Sequence, residues 1–251
     1  MTGAPQQRFQ TTRWSMVLEA IDAGRAEGSS ALASLCETYW WPVFAFVRKR
    51  GYSEEDARDL TQAFFTRELE RPSLKGARPE LGRFRSYLLG AVQHFLADQR
   101  DRAAAAVRGG GVTHVSLDAH TSADPLASDR AIGETPERAF ERCWAQATVD
   151  RAIARVAEEY ARAGRRTTFD TLRPAVDGDE RVDYARAAVV FGSSEGAVRV
   201  AVHRLRRHVA AALRATLAET VANDHDVADE LEFLKSVLAA TSSASSLFSP
   251  R

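Results

Sequence analysis

Apolar residues recur at three- and four-residue intervals along almost the whole chain, and this period constrains the fold more than any other feature. Over residues 31–50, Leu32, Leu35, Tyr39, Val43 and Val47 make one stripe, widened by Cys36, Trp40 and Phe44. Pro42 lies inside this run and is expected to kink it, because proline removes a backbone donor. Gly51 ends the run, and Ser53 with Asp56 opens the next in the manner of a capping box. The second helix runs to about Glu70, with Ala57, Leu60, Thr61 and Phe64 in phase and Asp56, Asp59 and Gln62 on the opposite side. The expected fold class is all-α.

Punctuation divides this helical chain. Residues 71–83, RPSLKGARPELGR, hold two prolines and two glycines and read as a loop made basic by Arg71, Lys75, Arg78 and Arg83. A third helix follows to about residue 106, with Phe84, Tyr87, Leu88, Ala91, Val92 and Phe95 inward and His94 and Asp98 available outside. From 107 to 135 the periodicity disappears into Gly, Ser, Asp and Pro, a linker. Thr135 and Pro136 then cap a long helix to Arg162, because proline at the first helical position loses least. A short irregular piece carries Phe169, Leu172 and Pro174, and two further helices flank Phe191-Gly192-Ser193. A last helix runs from His225 to Ala240 with Val227, Leu231, Leu234 and Leu238 as its stripe, before a tail expected to be disordered. The expected organisation is two helical domains, 31–106 and 136–222, joined by a flexible linker. Residues 1–30 add an extension with a short helix, and 223–251 add a C-terminal helix and tail.

Charge and composition narrow the function classes. Lys plus Arg and Asp plus Glu are both 34, so attraction to a polyanion must come from clustering along the chain. No apolar run approaches the roughly 20 residues of a membrane helix. The opening MTGAPQQRFQ has no basic segment leading into an apolar stretch, so the expected compartment is the cytoplasm. Cys36 and Cys143 read as two small core residues rather than a disulfide. The six His and two Cys show no metal-ligand spacing. The nearest approach to one, HVSLDAH at 114–120, falls in the linker, so no metal, cofactor or catalytic residue is expected.

The charge does cluster in FGSSEGAVRVAVHRLRRHV, residues 191–209. With Ser194 as N-cap, Val198, Ala201, Val202, Leu205 and Val209 share one side of a helix, while Arg199, His203, Arg206 and Arg207 lie on the other. Upstream, Tyr184, Ala187, Ala188 and Phe191 supply a preceding helix, and Gly192 permits a sharp turn. This is a helix-turn-helix candidate whose second helix would enter a DNA major groove. Arginine suits that partner because it pairs with phosphates and can grip a guanine edge with two hydrogen bonds.

DARDLTQAFF at 56–65, FRSYLLGAVQHFLADQR at 84–100 and YARAAVVFGSSEGAVRVAVHRLRR at 184–207 together resemble the extracytoplasmic-function sigma factors of bacterial RNA polymerase. The resemblance covers about 31–106 and 136–215, corresponding to that family's regions 2 and 4. It implies core RNA polymerase as partner, with Asp56, Asp59 and Gln62 docking on the clamp helices of the largest subunit and region 4 meeting the flap of the second-largest. It implies that Arg78, Arg83, Arg85, Tyr87, His94 and Asp98 handle the unpaired minus-ten strand of promoter DNA. For the minus-thirty-five duplex it implies Ser194, Arg199, Val200, His203, Arg204, Arg206 and Arg207, Arg199 being the foremost candidate for a base edge. An anti-sigma factor or other regulator is a further implied partner. The chain departs from the family where Tyr87 stands for a common Trp and His94 for a common Asn. ERAFERCWAQATVDRA also replaces the usual Leu-Pro start of region 4. The alternative reading is a stand-alone helix-turn-helix regulator. It accounts for 181–215 and leaves the acidic helix, the basic loop and the aromatic third helix without a role.

Overall fold

The computed structural model describes residues 38–70, 83–108, 134–177, 182–221 and 224–240. Among them the chain is helical throughout, with no strand. Nine helices occur in these segments. They are α1 (38–49), α2 (Glu54–Glu70), α3 (Phe84–Arg108), α4 (Pro136–Arg162), α5 (Arg166–Leu172), α6 (Pro174–Asp177), α7 (Tyr184–Phe191), α8 (Glu195–Ala218) and α9 (Asp224–Ala240). The short helix expected before residue 30, Leu32, Leu35 and Cys36, most of the basic loop, nearly all of the linker with HVSLDAH, and the C-terminal tail lie outside the described residues.

Local chemistry explains where these helices start and stop. The Ser53 hydroxyl accepts the Asp56 backbone N–H at 3.0 Å and donates to the Asp56 carboxylate at 2.7 Å, so serine caps the first turn and the short Asp binds its hydroxyl. Gly51, with φ of 95°, makes the left-handed turn between α1 and α2. Thr135 caps α4 through the Arg138 N–H, and Pro136 takes the first helical position. Helix α1 runs unbroken past Pro42, which is buried.

The piece expected to be irregular after Gly164 is instead the two short helices α5 and α6. Arg166 with Asp170 and Arg173 with Asp177 form pairs four residues apart, and the Thr171 hydroxyl donates to the Thr167 carbonyl. Phe169, Leu172, Ala175 and Val176 are buried beneath them. Burial of these apolar side chains against α4 and α8 supplies what so short a helix lacks in propensity.

Aromatic rings join α1, α2 and α3: Tyr39 meets Phe84 edge-on at 5.2 Å, Trp40 stacks on Phe65 at 5.9 Å, and Phe64 meets Phe95 at 5.6 Å. Helix α4 carries a long buried stripe and packs against α5, α8 and α9. It also holds α1: Ala45 packs with Ala139 and Cys143, and Arg151 donates to the Thr38 hydroxyl at 2.6 Å. Glu134, just before α4, lies 3.5 Å from Lys49 and 3.0 Å from Arg142. Burial pushes the Glu134 carboxyl up, but the hydrogen bond and charge of Arg142, with those of Lys49, outweigh it and hold it below the ordinary value. One apolar cluster draws side chains from all nine helices. The segments on either side of residues 107–135 therefore share a core.

Candidate nucleic-acid interface

The turn between α7 and α8 is closed from both sides. Gly192 is left-handed with φ of 57° and ψ of 37°, a conformation that costs glycine little. Its N–H donates to Val189 O at 3.2 Å, and the Ser193 N–H reaches back to Ala188 O at 2.9 Å, so two of the carbonyls ending α7 are satisfied. Two residues on, the Ser194 hydroxyl accepts the Ala197 N–H at 3.3 Å and starts α8. Helices α7 and α8 pack on each other across this tight turn, with Ala187, Ala188, Val198 and Val202 buried in the same core.

The two faces of α8 separate as the spacing predicts. Val198, Val202, Leu205, Val209, Ala212, Leu213 and Leu217 are buried. His203, Arg204 and Arg207 are exposed and carry no hydrogen bond or ion pair among the described residues. Arg214 is exposed about two turns further along, beyond the 191–209 stretch that the sequence singles out. The remaining candidates are engaged within the protein. Arg199 pairs with Glu195 at 3.1 Å and lies over the Tyr184 ring at 5.0 Å. Arg206 donates to the Ala175 carbonyl at 2.9 Å, which ties α8 to α6. The freest cations are thus Arg204 and Arg207 rather than Arg199, and Val200 stands exposed among them. Ser194 serves as the cap.

The other candidate residues are placed less uniformly. On α2, Asp56, Asp59 and Gln62 are all exposed, and Asp56 is also bound into the cap by Ser53. On α3, Tyr87 and His94 line a groove of about 380 Å³ with Ser86, Gly90 and Phe95, Tyr87 half-buried and His94 exposed. Asp98 pairs with Arg67 of α2 at 3.0 Å, so it staples two helices together. Arg78 lies outside the described residues.

Arg85 departs from expectation: it is buried. Its Nε donates to Glu230 of α9 at 2.7 Å, and its guanidinium lies 3.7 Å from the centroid of the Phe233 ring and 5.2 Å from that of Trp144. Glu141 of α4 approaches it at 3.9 Å. Burial is the first cause of the raised Glu141 carboxyl, and Arg85 opposes it. Arg83 also pairs with Glu230, at 3.0 Å, and more loosely with Asp229. The physical reason is α9. Its acidic residues meet the basic start of α3, while Leu231, Leu234 and Leu238 are buried beside them. Glu230 itself is 1 % exposed. Nothing in the spacing of the C-terminal stripe marks which distant cation Glu230 would find.

No known family matches the chain, and no curated protein or solved structure shows significant similarity to it. Among the described residues, no group of His, Cys, Asp and Glu is arranged to hold a metal ion, and no helix is long and apolar enough to cross a membrane.

Proposed function

We propose that this chain is a sigma factor that binds core RNA polymerase and directs promoter-specific transcription initiation. The observation that carries the reading is the doubly capped turn feeding a helix whose outward face presents Arg204 and Arg207 without a partner among the described residues. A neutral protein gains a polyanion partner only by concentrating charge in this way. On this reading α7 and α8 belong to a region that meets the minus-thirty-five duplex, and α1 to α3 to one that meets polymerase and the minus-ten strand, the two joined through residues 107–135. The exposed face of Asp59 and Gln62 favours this over a stand-alone regulator, which has no use for it. The groove between Tyr87 and His94 is of a size to take a flipped base. The chain works by binding, without catalysis of its own.

The decisive experiment is run-off transcription with bacterial core RNA polymerase on promoter-bearing fragments, together with gel filtration of the mixture. The wild-type chain is expected to co-elute with core and to start transcripts at defined positions. Asp59→Arg is expected to abolish co-elution without lowering the melting temperature, because Asp59 is exposed and, unlike Asp56, takes no part in the cap. Binding to duplex DNA without binding to core would establish the stand-alone regulator instead.

A further inference from the structure

Gly196 is the second residue of α8, where glycine weakens a helix relative to alanine. Its φ is not left-handed, and a Cβ built on it would meet nothing nearer than Ser194 Oγ at 3.8 Å. Backbone conformation and internal crowding would both admit a side chain here, as at Gly90 of α3, so the exposed Gly196 leaves the first turn of α8 low. Four residues on, Val200 is 49 % exposed, one of only four large apolar side chains so placed among the described residues. Gly196, Val200, His203 and Arg207 follow one another at spacings of four, three and four, which sets them in one stripe on the outward face. The stripe is a low notch, then an apolar spot, then an imidazole and a guanidinium.

The geometry points to a thymine reader, resting on the duplex-binding role proposed for α8. Val200 takes the C5-methyl group of a thymine in the major groove, and Gly196 keeps the preceding turn low enough for that base edge to arrive. Thymine is the one base that presents an apolar group there, while the other bases offer only donors and acceptors that valine cannot use. Val200 is the one large apolar side chain so exposed on α8, and one valine among basic residues is a far smaller apolar area than a protein partner needs. Arg204 and Arg207 beside it suit the phosphates that fix the helix in the groove.

The test selects duplexes from a random library with the full chain, alone and with bacterial core RNA polymerase. Enriched duplexes are then remade with deoxyuridine in place of each thymine in turn, which deletes only the methyl group. One such replacement is expected to weaken the wild-type protein about fourfold, the worth of one buried methyl group. The same replacement should weaken Val200→Ala less, because alanine offers the methyl group one side-chain carbon where valine offers three. Gly196→Ala is expected to keep or raise the melting temperature while losing both affinity for the selected duplex and sensitivity to the methyl group. The inference is overturned if every thymine tolerates deoxyuridine, or if the sensitive thymine is equally sensitive in Val200→Ala. Failure to enrich any duplex is a different result, which removes the duplex-binding role itself and the thymine reader with it.

Discussion

Glu230 joins α9 to the start of α3. It accepts from Arg85 at 2.7 Å and from Arg83 at 3.0 Å while 1 % exposed, and Arg85 is itself enclosed by Phe233 and Trp144. Removing one partner of a buried ion pair leaves the other charge desolvated, which costs more than the pair is worth. Glu230→Ala is expected to destabilise the protein by about 3 to 5 kcal/mol, read as a fall in urea midpoint. The paired change Arg85→Met with Glu230→Leu should recover most of that loss, since it removes both charges and keeps apolar volume. Recovery would identify the unpaired cation, and not lost packing, as the origin of the defect. For Arg83 and Arg85 to meet a DNA strand, Glu230 has to release them.

At the level of one element, α8 shows how a helix divides labour among like residues. Four arginines between 199 and 207 look equivalent in the sequence, yet Arg199 is paired with Glu195 and Arg206 is bound to a carbonyl of α6. Arg204 and Arg207 are exposed and have no such tie among the described residues. Replacing either with alanine is expected to weaken duplex binding alike for all sequences. It should also reduce the slope of log affinity against log salt by about 1. Arg206→Ala should change that slope less and instead lower thermal stability, because it cuts the tie between α6 and α8. Fluorescence anisotropy over a salt series, with melting curves on the same variants, separates the two behaviours. An unchanged slope for both Arg204→Ala and Arg207→Ala would place the phosphates elsewhere.

Across the whole molecule, α9 binds distant parts of the chain together. It packs on α4 and α8 with Leu231, Leu234 and Leu238 buried, sets Phe233 at a tilt beside Trp144 at 6.0 Å, and reaches the start of α3 through Glu230. Burying three leucines is worth roughly 6 kcal/mol before entropy is counted. A chain ending at Asn223 is therefore expected to melt at lower temperature, as followed by circular dichroism. An unchanged melting temperature would show that α9 adds nothing to the fold.

Helical class, helix order, and the caps at Ser53, Thr135 and Ser194 were legible in the sequence. They depend on interactions within a few residues, and a period near 3.6 reports them directly. The opposed faces of α8 were legible for the same reason. The sequence by itself also set apart α7, Gly192 and α8 as a turn between two helices, because only a residue at ease in the left-handed region fits there. Tertiary structure alone decided that Arg85 is buried, that Asp98 pairs with Arg67, and that segments on both sides of residues 107–135 share one core. It also decided that a run read as irregular becomes α5 and α6. Each of these outcomes turns on a partner far away in the chain, such as Glu230, 145 residues from Arg85. A cation's own surroundings in sequence carry no record of which carboxylate folding will bring to it.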